Sequence, residues 1–211
     1  MNLRLATFAV ILAVCVTFVL RTAATFSTQL FTSPAMAQVG VWTHLFGTAT
    51  MVWFFLAFLL DLTGPERPTL RRAAATAAAG AAMALLVPLQ TLLRIWDVAP
   101  FSAFVRSPWL EPIAPLIATV AILIFFAVYR RELVRAEDAQ LRRAAAAAMW
   151  AYGLFTVLNL CVLALYTSSG ELRWLTQMGP AVAWITLPLV AAGFAAVLHF
   201  FVTLLRYLMR R

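Results

Sequence analysis

Residues 113–130 read IAPLIATVAILIFFAVYR, and this stretch decides the fold class. It carries no charge before Arg130, and its apolar residues follow one another instead of alternating with polar ones. About 20 residues of helix cross the ~30 Å hydrocarbon core of a bilayer. A strand of a transmembrane barrel would alternate between apolar and polar positions, so this run predicts a membrane-spanning helix.

Five further runs of the same kind occur along the 211 residues. The chain is 64% hydrophobic and 11% charged, with a mean hydropathy of +0.92, whereas about a quarter of the residues of a soluble domain are charged. We therefore predict an all-α polytopic membrane protein, a bundle of six transmembrane helices that forms one integral membrane domain over residues 1–211. The predicted spans are 3–21, 41–62, 73–95, 113–130, 144–166 and 181–205.

The first run, residues 3–21, also has the character of a signal peptide, since the charged MNLR precedes it. The small-residue pattern AMAQ at 35–38 lies too far beyond the run for cleavage there. We expect the run to remain as the first transmembrane helix.

The basic residues predict the orientation in the membrane. The net charge is +8, and all sixteen basic residues are arginine. With the amino terminus in the cytoplasm, only Arg21, Arg94, Arg106 and Arg173 fall in outer segments. This asymmetry follows the positive-inside rule and predicts that both termini are cytoplasmic, in a bacterial inner (cytoplasmic) membrane. It explains the basicity through membrane lipids and needs no nucleic-acid partner.

The tryptophans support the same orientation. Trp42, Trp96, Trp109, Trp174 and Trp184 lie at the predicted outer interface, where amphipathic rings concentrate. Two independent signals therefore predict one topology.

A weak internal repeat links two pairs of spans. LRRAAATAAAG begins at Leu70 and LRRAAAAAMWA begins at Leu141, 71 residues later. The spacing predicts a helical hairpin at 41–95 that is repeated at 112–166 in the same orientation. A shared membrane composition is the alternative explanation.

Polar residues in VPLQTLLRIWDVAP, residues 87–100, suggest a site. Gln90, Arg94 and Asp97 share one helical face, which predicts either an interfacial salt bridge beside a proline kink or part of a binding site. His44 and Asn159 are expected in the same leaflet. In the second interpretation these five side chains form an outward-facing ligand-binding pocket, with Arg94 holding an anionic group and the amides setting orientation.

Three functions remain open on the sequence. The first is a small inner-membrane ligand-binding or transport component with a polar site in the outer leaflet, for a small solute, anionic or not, or a lipid or quinone headgroup. The second is a non-catalytic structural or assembly subunit that packs against an integral membrane partner or another copy of itself. The third, haem or copper binding, is less favoured because His44 and His199 lie in different leaflets.

Enzyme motifs and metal-binding spacings are absent from the sequence, so we predict no catalytic residue and no metal ligand. No cofactor can be specified.

Overall fold

The structure, a computed structural model, describes residues 2–26, 34–61, 67–96, 107–133, 139–169 and 179–210. The regular elements in these ranges are all α-helices, and six helices contain a stretch long and apolar enough to cross a membrane. This confirms the all-α fold class and the number of candidate spans. The helices are α1 (Leu3–Phe26), α2 (Pro34–Asp61), α3 (Pro68–Ile95), α4 (Leu110–Glu132), α5 (Ala139–Ser169) and α6 (Gly179–Arg210).

Several helices extend beyond the predicted spans. α2 begins at Pro34 and not at 41, and α3 begins at Pro68 and not at 73. Proline is well suited to a first helical position, where its missing N–H would have no partner in any case. Hydropathy marks only the apolar part of a helix, so the polar first turns of α3, which include Arg71 and Arg72, lie outside the predicted span.

The six helices form a closed ring in chain order. Each helix packs against the next one in sequence, and α1 packs against α6 to complete the circle. Neighbours run antiparallel. The backbone N–H of Leu3 at the start of α1 donates to Oδ2 of Asp61 at the end of α2, at 2.9 Å. Trp42 near the start of α2 contacts Trp96 directly after α3.

The two ends of the bundle differ in composition. One end, here the arginine end, holds the starts of the odd-numbered helices and the ends of the even-numbered ones. The opposite end, here the tryptophan end, carries Trp42, Trp96 and Trp109, and Arg94 as well. The described arginines of the arginine end are Arg4, Arg67, Arg71, Arg72, Arg130, Arg131, Arg142, Arg143, Arg206 and Arg210.

Glycine allows the closest helix contacts. A Cβ on Gly80 of α3 would lie 2.7 Å from Cβ of Ala121 and 3.3 Å from Cα of Ala118, both on α4. A Cβ on Gly193 of α6 would lie 2.7 Å from Cζ of Phe155 on α5. Small residues stabilise transmembrane bundles in this way, because packing at short range replaces the hydrophobic driving force that lipid removes.

Six phenylalanines close the centre of the bundle in its arginine half. Each even-numbered helix contributes an adjacent pair, and every ring in the set is fully buried. The rings meet edge to face around a circle, with successive centroids 4.8–5.3 Å apart. This is a favourable arrangement for aromatic quadrupoles. The members of this phenylalanine ring, in order of contact, are Phe54, Phe55, Phe125, Phe126, Phe200 and Phe201.

Burial follows the same spacing as the sequence repeat. Ala6, Ala77 and Ala148 are 71 residues apart on α1, α3 and α5, and all three are fully buried. The phenylalanine pairs of α2 and α4 also lie 71 residues apart, whereas the pair on α6 follows after 75. Three hairpins therefore present similar positions to the central axis. A duplication of 41–95 at 112–166 stays a prediction.

Candidate binding cavity

A cavity of about 450 Å³ lies in the tryptophan half of the bundle, directly beyond the phenylalanine ring. On α2, α4 and α6 the lining residues lie on the tryptophan side of the phenylalanine ring. On α1, α3 and α5 they lie on the tryptophan side of the buried Ala6, Ala77 and Ala148. Protein interiors contain few voids larger than a water molecule, so a space of this size is a specific feature of the fold. All six helices line it: α1 from Val10 to Leu20, α2 from Gly40 to Met51, α3 at Ala81 and Ala84, α4 from Pro115 to Ile122, α5 at Tyr152 and Phe155, and α6 at Phe194 and Val197.

Small side chains create the space. Gly47 of α2, Ala84 of α3 and Ala118 of α4 line the cavity. In the arginine half, by contrast, the even-numbered helices carry buried phenylalanines. A Cβ on Gly47 would meet only Oγ1 of Thr17, at 3.6 Å, an ordinary van der Waals distance. Below the cavity, the contact of Gly80 with α4 and the phenylalanine ring hold the helices at their present separation.

The wall is mostly hydrocarbon and carries a few hydroxyl groups. Among the described residues, none of the lining side chains is an arginine, aspartate or glutamate. Several threonine hydroxyls donate to carbonyls of their own helix, so they offer only lone pairs to a ligand. These bonds run from Thr43 to Val39, Thr48 to His44, Thr50 to Gly47 and Thr119 to Leu116, at 2.8–3.0 Å.

His44 is the predicted site residue that lines the cavity. It sits on α2 near the tryptophan end and is exposed. Gly40, one turn earlier, also lines the cavity and is exposed, and a Cβ added to it would meet nothing within 4 Å. The cavity therefore reaches the protein surface beside Gly40 and His44.

Asn159 lies behind the cavity wall. Its Nδ2 donates to Oγ1 of Thr119 at 3.5 Å, and Thr119 is a lining residue. The amide thus contacts the wall from α5 and is not itself among the lining residues that the structure describes.

Gln90 and Arg94 lie elsewhere. Gln90 is buried, and its Nε2 donates to the carbonyl of Ser107 at 2.9 Å, which ties the end of α3 to the segment before α4. Arg94, one turn later, is exposed. Asp97 lies outside the described residues. The geometry brings His44 and, through Thr119, Asn159 to the cavity, and it leaves Gln90 and Arg94 outside the described lining. A binding role for the five residues stays a prediction.

Sequence reasoning missed the apolar majority of the site. Tyr152, Phe155 and Phe194 line the cavity together with the glycines and alanines, and none of them was predicted. The 71-residue spacing contained the signal, because Ala81 and Tyr152 are equivalent positions and both face the cavity.

The two histidines lie at different levels of the bundle. His44 lines the cavity ten residues before the phenylalanine pair of α2, whereas His199 directly precedes Phe200 and lies at the level of the phenylalanine ring. Within the described ranges, no three His, Cys, Asp or Glu side chains come together in a way that could hold a metal ion.

Comparison with protein-family models, with curated proteins and with solved structures finds no match to this chain. Its function is therefore inferred from the geometry of the cavity.

Proposed function

We propose that this protein binds a small, uncharged and mainly apolar molecule in the central cavity, as a binding component of a bacterial inner membrane. The observation that carries the proposal is the space of about 450 Å³ that all six helices line. Small-molecule pockets are typically about 300–1,000 Å³ and mostly apolar, with a few polar groups that fix orientation.

The composition of the wall supports an uncharged ligand. A buried charge needs an opposite charge or several hydrogen bonds. His44 is the one basic side chain in the described lining. Arg94, the predicted partner of an anion, is not among the described lining residues. Of the ligand classes that the sequence leaves open, an uncharged headgroup such as that of a quinone therefore suits this cavity better than an anionic solute.

The phenylalanine ring supports binding more than passage along the axis. Its six contacting side chains fill the centre of the bundle below the cavity. A molecule that arrives beside Gly40 and His44 therefore meets a closed floor.

The distribution of charge supports an orientation with the arginine end in the cytoplasm and the cavity in the outer leaflet. Ten described arginines belong to the arginine end, and tryptophans mark the other. The positive-inside rule and the preference of tryptophan for interfaces favour the same direction.

Filling the cavity tests the proposal. Ala84→Leu adds volume at a lining position of α3, whereas Ala82→Leu makes the same change at an exposed position two residues away. Each variant and the wild type are purified in mild detergent, and retained small molecules are extracted and measured by mass spectrometry. We expect Ala84→Leu to lose most of the retained molecule and Ala82→Leu to keep it.

Two results would contradict the proposal. The first is equal retention by all three proteins, which would place the molecule on the lipid-facing surface. The second is a wild type that retains no small molecule but copurifies with a membrane partner, which would favour the assembly-subunit alternative.

A further inference from the structure

Tyr152 is the lining residue with the most unusual surroundings. It lies in the sequence MWAYGLF, residues 149–155, where every other side chain is apolar. The equivalent positions on α1 and α3 are Val10 and Ala81, which also face the cavity. Packing at this level of the bundle therefore does not require a hydroxyl group.

Two aromatic neighbours fix the ring of Tyr152. It stacks on Phe126, a member of the phenylalanine ring, with centroids 5.5 Å apart, and it meets Phe155 edge on at 5.8 Å. Phe155 is itself confined, because its ring tip occupies the space that a Cβ on Gly193 would need. The hydroxyl of Tyr152 is consequently held at one place near the floor of the cavity.

This hydroxyl has no hydrogen bond to any residue that the structure describes, although the side chain is only 9% exposed. Buried tyrosines usually find a partner for their hydroxyl group, because an unmade hydrogen bond in a low-dielectric site is unfavourable. Among the described residues, Oγ1 of Thr22 is the one fully buried side-chain oxygen or nitrogen without a hydrogen-bond partner. The Tyr152 hydroxyl therefore borders open space, and the space that this residue lines is the cavity.

The hydroxyl also differs from four of the five threonines in the described wall. Thr43, Thr48, Thr50 and Thr119 use their hydrogens on carbonyls of their own helices, whereas the hydrogen of Tyr152 is available. A ligand at this point is best recognised if it carries an oxygen atom that accepts a hydrogen bond from Tyr152. The rings of Phe155 and Phe194 line the same cavity and offer faces or edges to a planar group.

We propose that the ligand is an uncharged quinone-like molecule and that the Tyr152 hydroxyl donates a hydrogen bond to one of its carbonyl oxygens. This inference rests on the proposed function of the cavity and specifies the chemistry of the ligand. It concerns binding alone and includes no electron transfer.

Two probes with the same carbon skeleton test the inference. Tetramethyl-1,4-benzoquinone carries two carbonyl oxygens, and tetramethylbenzene carries none; the methyl groups also hinder addition of Cys15 or Cys161 to the quinone ring. The affinity of each probe for the full chain in detergent is measured from the rise in Tm with probe concentration. The proteins are the wild type, Tyr152→Phe and, as a control on the same helix, Tyr166→Phe, whose ring contacts Trp109 and does not line the cavity.

We expect the wild type to bind the quinone more tightly than the hydrocarbon. Tyr152→Phe should weaken quinone binding about fivefold, the effect of one hydrogen bond, and leave hydrocarbon binding unchanged. Unchanged hydrocarbon binding also shows that this variant is folded. Tyr166→Phe should bind both probes as the wild type does.

The outcomes separate this inference from the proposed function. If Tyr152→Phe binds the quinone as well as the wild type while Ala84→Leu blocks both probes, the cavity is a binding site but the role of Tyr152 is wrong. If the wild type binds neither probe, both the inference and the proposed function are wrong for this class of ligand.

Discussion

The arginine half and the tryptophan half of the bundle use the same six helices in opposite ways. In the arginine half, paired phenylalanines from α2, α4 and α6 fill the axis and meet the buried alanines of α1, α3 and α5. In the tryptophan half, the same helices present mainly smaller side chains, among them glycine, alanine and threonine, around a cavity of about 450 Å³. The difference teaches that the candidate site arises from side-chain volume and not from a polar face.

The largest effect is expected from breaking the filled half. Phe54→Ala removes a fully buried ring that contacts both Phe55 and Phe201. We expect the free energy of unfolding to fall by about 3 kcal/mol, at the lower end for such changes because lipid already provides an apolar surrounding. Thermal unfolding in detergent measures the loss.

Phe46→Ala on the same helix is the control, since Phe46 is 43% exposed. It should change the stability by less than about 1 kcal/mol. Equal losses for the two variants would mean that the phenylalanine ring is no more tightly packed than the outer surface.

An intermediate effect is expected at the level where the filled half gives way to the cavity. Gly80→Ala forces a Cβ within 2.7 Å of Ala121, so α3 and α4 must separate, and stability should fall by about 1–3 kcal/mol. Gly153→Ala is the matched change on α5, where an added Cβ meets nothing within 4 Å.

Chemical denaturation of both glycine variants provides the measurement. Gly153→Ala should be neutral or slightly stabilising, because alanine favours the helix over glycine by about 0.5–1 kcal/mol. The close approach of α3 and α4 would be disproved by a Gly80→Ala protein as stable as the wild type.

The smallest effect is expected inside the cavity. Gly47→Ala places a Cβ 3.6 Å from Oγ1 of Thr17, an ordinary contact, and should stabilise the helix by about 0.5 kcal/mol. The same unfolding assay measures this change. A loss greater than about 1 kcal/mol would show that the tryptophan half is close-packed after all, which would remove the contrast between the halves.

The sequence was sufficient to predict the helices, because an apolar run of about 20 residues has few alternatives. It also predicted the arginine asymmetry, which needs only the order of the spans. The cavity was beyond its reach, since an empty space depends on how far apart the helices stand. That distance is set by particular contacts, such as Gly80 against Ala121.

The predicted polar face shows the same limit at single residues. Gln90 shares a helical face with Arg94, yet the position of Ser107 decides where its amide donates. Helical spacing shows which residues share a face, but it does not show where the segment between two helices contacts that face. His44, in contrast, lies on α2 one turn before the lining residues Gly47 and Thr48, and its position on this face brings it to the cavity.

The phenylalanine ring has a consequence for water and protons. Its six side chains contain no polar atom, and their edge-to-face contacts occupy the axis of the bundle. A hydrogen-bonded file of water, the usual wire for proton conduction, finds nothing to hold it at this level. Along this axis, the phenylalanine ring therefore separates the cavity from the arginine end by a layer of hydrocarbon.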